Sequence, residues 1–168
     1  MIVSDIDNML ANTNSLLEKK YRSYSYPYPV PPGYFTTADG LKLLADAPPM
    51  PNAADVVSQL ARDLGGITYV TTRPRIAEVL TYRWLKTHGF PKGRVIFCAR
   101  EEKAGVVKNL APALVAEDDP WIIPLLLRLG VPVLVHQWPY NKHLTGDRLI
   151  KFKRWLHCLN LGSATACN

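Results

Sequence analysis

The chain has 168 residues, 48% of them hydrophobic, three cysteines and a formal charge of +6. That length and apolar content suffice to bury one core and predict a single domain over residues 1–168. The positive charge favours anionic partners, phosphorylated metabolites or nucleic acid, without choosing between them.

Cys98, Cys158 and Cys167 are odd in number, widely spaced and without CxxC or Cys/His metal spacing, which fits a reducing, cytoplasmic setting. The most apolar stretch, 121–135, is broken by Pro124, Arg128, Gly130 and Pro132, and no basic apolar leader precedes Asp5. Neither a membrane span nor a signal peptide is expected.

In chain order, an apolar run at 1–4 reads as a first strand and ends at two acids, Asp5 and Asp7. Between 14 and 51 the chain runs through "YRSYSYPYPVPPGY" and "TTADGLKLLADAPPMP". This is too long for a βα loop and reads as a small cap or flap inserted after the first strand, with a short helical piece at best. Helices are then expected at 53–64, 75–88, 101–110 and 121–129, and strands at 67–71, 94–98, 113–116 and 131–135. The strands are mostly continuous apolar runs, the pattern of a parallel sheet buried on both faces. Pro74 and Pro120 stand at helix starts, and Gly65, Gly89 and Gly130 at helix ends. The alternation predicts an α/β fold, a Rossmann-like doubly wound parallel sheet of about five strands. The basic amphipathic segment "DRLIKFKRWLHCL", 147–159, is expected to dock as a closing helix.

Right-handed crossovers bring the carboxyl ends of parallel strands to one edge, where ligands bind. At those ends stand Asp5 and Asp7, Thr71-Thr72-Arg73, Arg100 to Lys103, and Glu117-Asp118-Asp119. Two carboxylates about 4 Å apart repel by roughly 4 kcal/mol at an effective dielectric near 20, so Asp5, Asp7, Asp118 and Asp119 together call for protons or a cation. With no His or Cys adjacent, the donors are all oxygen, which suits Mg²⁺. The hydroxyls of Thr71 and Thr72 and the charge of Lys103 then suit a phosphate. Lys103 is preferred over Lys108, which a helix rise of about 1.5 Å per residue puts roughly 7.5 Å further away. Singly, Asp119 before Pro120 is also ordinary helix N-cap grammar. His88, His136, His143 and His157 show no ligand spacing and read as structural.

"DIDNML", "YVTTRP", "EEKAGVVKNL" and "LVAEDDP", in this order and at these strand ends, resemble the four motifs of the haloacid dehalogenase superfamily of phosphohydrolases. The resemblance covers roughly residues 1–141. It implies Asp5 as nucleophile, Asp7 as general acid/base, Thr71, Thr72 and Lys103 on phosphate, and Mg²⁺ held by Asp5, Asp7, Asp118 and Asp119. The family usually carries Gly-Thr or Gly-Val after the second aspartate, where this chain has Asn8-Met9. Asn tolerates the left-handed backbone, but the change removes a hydroxyl that often supports the acid.

"TYRWLKTHGFP", "EDDPW" and "VHQWPYN" further resemble nucleotidases related to deoxyribonucleotide 5'-phosphatases. The phosphatase part of polynucleotide kinase-phosphatases has a similar layout, with cations at the positions of Arg73 and Arg100. The implied activity is a Mg²⁺-dependent phosphomonoesterase for nucleotides, a 5'-nucleotidase type. A polynucleotide 3'-phosphatase and a non-catalytic phosphate-binding protein of the same fold are the alternatives. Arg73 and Arg100 are candidate substrate contacts, and Tyr26, Tyr28 or Tyr34 candidate stacking partners for a base. Lys151, Lys153 and Arg154 are candidates to follow a nucleic-acid backbone.

Overall fold

The apolar runs become the strands of one parallel sheet, flanked on both faces by the helices that connect them. The computed structural model describes residues 1–22 and 30–159. In chain order the elements are β1 (Ile2–Ser4), α1 (Thr13–Tyr21), α2 (Ala38–Asp46), α3 (Ala53–Asp63), β2 (Ile67–Thr71), α4 (Glu78–Thr87), β3 (Arg94–Phe97), α5 (Arg100–Leu110), β4 (Leu114–Ala116), α6 (Ile122–Arg128), β5 (Val133–His136) and β6 (Leu149–Phe152). Spatially the strands run β3-β2-β1-β4-β5-β6, all parallel. This is the Rossmann-like α/β sheet of the haloacid dehalogenase-like fold.

Successive side chains of a strand face opposite layers, and the core divides accordingly. Ile2 and Tyr69 pack with Val56, Val57 and Leu60 of α3 and Trp84 of α4. Val3, Val70 and Val115 pack with Val107 of α5 and Ile122, Ile123 and Leu126 of α6. All five residues of β2 are buried, as expected of a strand covered on both sides.

The sheet has six strands rather than about five, and the segment 147–159 is not a helix. Leu149–Phe152 forms β6 beside β5, with Val133 opposite Leu149 and His136 opposite Phe152, and Trp155–Cys158 is a 3-10 turn. Leu149, Phe152 and Trp155 recur every third residue, which mimics a helical stripe; a four-residue strand is too short for periodicity to resolve. Pairing prevails because the outer backbone groups of β5 need partners: the Val133 amide donates to the Arg148 carbonyl at 2.9 Å and the Gln137 amide to the Phe152 carbonyl at 2.8 Å.

The stretch after β1 is more helical than the sequence suggests, holding both α1 and α2. Each begins at a side-chain cap: Asn12 accepts from the Ser15 amide and Thr37 from the Gly40 amide. Leu17, Tyr34 and Leu43 form their own small core. Gly40 lets α2 lie against the preceding 3-10 turn, since a Cβ there would stand 2.0 Å from the Tyr34 carbonyl oxygen. The Trp84 indole donates to the Ala47 carbonyl at 2.7 Å, tying this insertion to α4. Among the described residues no helix is long and apolar enough to cross a membrane.

Candidate active site

The site forms where the strand order reverses, between β1 and β4. Ser4 is opposite Ala116, so the next residues, Asp5 and Glu117, emerge side by side at the carboxyl ends of adjacent strands. The Asp5 amide donates to the Ala116 carbonyl at 2.9 Å and the Glu117 amide to the Leu134 carbonyl at 3.0 Å, which fixes both backbones. Asp5, Glu117 and Asp118 bring one carboxylate oxygen each within 4.8 Å of one another.

A single buried ammonium faces these acids. Lys103, in the first turn of α5, places Nζ 2.6 Å from Asp5 Oδ1 and 2.8 Å from Glu117 Oε2. Burial alone would lower the Lys103 pKa, but Asp5 and Glu117 outweigh it and keep the amine charged. Lys108, further along the helix, is exposed. Burial pushes Asp5 up to about 7 against the pull of Lys103. Burial, then Asp5 and Glu117, raise Asp118 well above the carboxylate range. Three crowded carboxylates against one ammonium leave negative charge that a hard cation relieves.

Asp118 is held from the loop after β5. Tyr140 donates its hydroxyl to Asp118 Oδ2 at 2.5 Å. The fully buried Asn141 donates Nδ2 to the carbonyls of Asp118 and His136, each at 3.0 Å, and accepts the Trp138 amide at 2.9 Å. Glu117 Oε1 accepts the amides of Asp118 and Asp119 at 3.0 and 3.1 Å.

Asp7 stands outside the three-acid cluster. Arg73 meets both its oxygens at 2.8 Å, and Thr13 donates to Oδ1 at 2.5 Å. Burial would raise its pKa, but the charge and hydrogen bonds of Arg73, with Thr13, hold it below the usual carboxylate value. Asn8 adopts a φ of 60°, the left-handed turn that asparagine tolerates. Thr13 brings a hydroxyl to Asp7, while Met9 enters the core. Two indoles pin the turn: Trp138 Nε1 donates to the Asn8 carbonyl at 3.0 Å and Trp155 Nε1 to the Met9 carbonyl at 2.9 Å.

The other sequence candidates divide. Thr72 lines the cavity beside Asp5 and Lys103; Thr71 is buried, its hydroxyl accepting the Arg73 amide at 3.2 Å. Asp119, expected on the metal, lies outside the cluster: its oxygens take Arg100 Nε at 2.7 Å and Nη2 at 2.8 Å, and Oδ1 also accepts the Trp121 amide at 2.8 Å. The N-cap of α6 is Trp121, without a side-chain cap, so Asp119 stands just ahead of the helix rather than at its cap. Arg73, expected to meet substrate, is buried against Asp7 and also donates to Thr81 at 3.3 Å. Tyr34 is buried, its hydroxyl donating to Asp39 and accepting from Lys20. Tyr26 and Tyr28 lie outside the described residues. Among the described residues, Phe35 is the insertion's aromatic on the cavity, which measures about 200 Å³. Lys151 lies on β6 with Nζ on the Lys142 carbonyl at 2.7 Å.

Glu117, Thr13, Phe35, Tyr140 and Asn141 were not among the sequence candidates. Glu117 had a signal: it is the residue directly after a three-residue strand, aligned with Asp5. Thr13 and Asn141 act through folded loops, and spacing alone does not announce them.

A family model described as "PITM 1-3, LNS2 domain" matches residues 33–114. A Bacillus cereus protein named "Putative nucleotidase" is 27% identical over 104 residues, 60% of this chain and 55% of that protein. A protein of the same description from Oceanobacillus iheyensis is 26% identical over 101 residues, 58% and 54% of the two chains. The chain thus spans about half the length of the curated relatives it matches. Among solved structures, CbbY from Rhodobacter sphaeroides in complex with phosphate superimposes with a TM-score of 0.62 at 15% identity, covering 94% of this chain and 95% of that one. The magnesium-bound HAD-hydrolase YfnB from Bacillus subtilis gives 0.60 at 14% identity, covering 95% and 97%. At these identities the likeness is one of fold.

Proposed function

We propose that the chain is a Mg²⁺-dependent phosphomonoesterase that works through a phosphorylated Asp5 and acts on nucleotides. The observation that carries this reading is the buried Lys103, bridging Asp5 and Glu117 inside an all-oxygen cluster completed by Asp118. Among the described residues no hydrogen bond reaches Asp5 Oδ2 or Asp118 Oδ1, so these oxygens suit a cation, with Glu117 behind them. When bound, Mg²⁺ offsets charge on the nucleophile and on the phosphoryl oxygens.

The chain's own groups have the following tasks. Lys103 opposes the burial that raises Asp5, favouring the carboxylate needed for attack. Asp5 displaces the ester oxygen at phosphorus, forming an acyl phosphate, while Lys103 offsets charge on the phosphoryl oxygens and the Thr72 hydroxyl donates a hydrogen bond to one of them. Asp7 protonates the departing oxygen, then takes a proton from the water that cleaves the acyl phosphate, restoring Asp5 and releasing phosphate. Arg73 keeps Asp7 ionised at rest, the form suited to activating water; for the first step the leaving-group oxygen displaces Arg73 from Asp7, which then takes up a proton from solvent and passes it to the departing oxygen. Asp119 is assigned to holding Arg100 rather than metal.

Nucleotides are favoured by the names of the two curated relatives, by the +6 charge and by Phe35 on the cavity. Cys98 and Cys158 are free thiols, in keeping with a cytoplasmic setting. The test is phosphate release from a panel of nucleoside monophosphates and a 3'-phosphorylated oligonucleotide, with Mg²⁺ and with EDTA. Release is expected to require the metal and to fall about a thousandfold or more in Asp5→Asn. No metal-dependent release from any substrate would contradict the proposal.

A further inference from the structure

Directly beside the catalytic cavity lies a second groove, between the starts of α5 and α6. It measures about 410 Å³, is lined by Glu101, Pro120, Trp121, Pro124, Leu125 and Arg128, and shares Arg100 and Ile122 with the cavity that holds Asp5. Trp121 is 69% exposed, at the N-cap of α6, whose first residues Ile122 and Ile123 are buried. A lone exposed apolar residue is ordinary. This one is held in place: its amide donates to Asp119 Oδ1, and the Arg100 guanidinium, clamped by both Asp119 oxygens, lies 5.6 Å from the indole centroid. Asp119 thereby fixes the cation at the cavity mouth and the aromatic face next to it as one unit.

We propose that this unit is the leaving-group subsite, with Trp121 stacking on the nucleobase of the substrate and Arg100 bridging between base and phosphate. The inference rests on the phosphatase reading for where the phosphate lies. A flat π-system is the occupant that an exposed indole flanked by a guanidinium and a proline recognises best, because stacking and cation–π attraction act together and need no base-edge hydrogen bonds. The groove opens off the cavity through the shared Arg100 and Ile122, so the group carried by a phosphate at Asp5 has this groove directly beside it. Phe35, on the insertion side, is half-buried and offers less open face. The base can belong to a mononucleotide or to the end of a strand. Arg128, exposed further along the groove, would meet a second phosphate only in a strand.

The test uses Asp5→Asn, which blocks turnover, with AMP and ribose 5-phosphate titrated calorimetrically in Mg²⁺. Adding Trp121→Ala is expected to weaken AMP about tenfold, in the range of one base stack, and to leave ribose 5-phosphate within about twofold; Trp121→Phe should retain most of the AMP affinity. A 3'-phosphorylated dithymidylate run in parallel identifies the source of the base: Arg128→Ala weakens it alone if strand ends are the natural occupants, and weakens neither ligand if mononucleotides are. Equal AMP affinity with and without Trp121, equal losses for AMP and ribose 5-phosphate, or no AMP binding to Asp5→Asn would each overturn the subsite. The phosphatase reading fails separately, if the wild-type chain releases no phosphate from any of these compounds.

Discussion

Lys103 is the side chain on which the acid cluster depends. Replacing it by Met leaves Asp5 and Glu117 buried without their cation, and breaking a buried ion pair costs about 3–5 kcal/mol. Lys103→Met is expected to lose about that much in urea unfolding at pH 7.5 and less at pH 5, where Asp5 is more readily protonated, with kcat down about a hundredfold or more. Arg73 makes a similar but more local pair. Arg73→Lys keeps the charge but cannot present two parallel N–H groups to Asp7; kcat is expected to fall at least about tenfold, with KM nearly unchanged, in steady-state assays with Mg²⁺. Asp5, Asp118 and Lys103 were legible because each sits where a strand ends or a helix begins. The neighbours of Arg73 and Asp119 were not, because sequence gives the place of a charge and not its partner: Arg73 meets Asp7, and Asp119 meets Arg100.

The turn after β1 carries Asp7 and has almost no repeating backbone pattern of its own. It holds its shape because two tryptophans from the far end of the chain donate to it, Trp138 at Asn8 and Trp155 at Met9. Trp155→Phe keeps one aromatic ring but removes the N–H and part of the buried indole, leaving the Met9 carbonyl without that donor and a small cavity beside it. The cost is expected to be about 2–4 kcal/mol in urea unfolding, with kcat reduced several-fold as Asp7 loses its fixed position. A change in stability with kcat untouched would show that the turn does not need this anchor. The five strands expected at the sequence level were legible from unbroken apolar runs between Gly and Pro punctuation. β6 was not, because four residues at the sheet edge share their spacing with a helix, and only the vacant side of β5 decides between them. α1 and α2 were hidden by the Tyr- and Pro-rich text around them, although Asn12 and Thr37 mark their starts.

The fold as a whole places its chemistry at the one point where chain order reverses, so that β1 and β4 deliver acids side by side and α5 delivers the counter-charge. This arrangement stores a pH dependence. Burial raises Asp5 to about 7 and Asp118 above its ordinary value, so the folded chain binds protons that the unfolded chain has released. Their stabilisation is present below about pH 4 and is lost as pH rises through about 7. The metal-free protein should therefore melt lower at pH 8 than at pH 5, and Mg²⁺ should reverse much of the loss. At a hundredfold excess over Kd, linkage gives about 2.7 kcal/mol, or about 5–10 °C for a chain of this size, and Asp118→Asn should abolish the shift. A melting temperature indifferent to Mg²⁺ at pH 8 would mean that the acids do not form a cation site.

The central claim is that Asp5 attacks a phosphoryl group held against Lys103 and a cation at the acid cluster. A crystal structure of the protein grown with Mg²⁺ and tetrafluoroberyllate, which mimics an acyl phosphate on a carboxylate, tests it most directly. The beryllium adduct is expected on the Asp5 carboxylate, with Lys103 and Thr72 against its fluorines and the ion between it and Asp118. An unmodified Asp5 in crystals that hold Mg²⁺ and the fluoride elsewhere would contradict it.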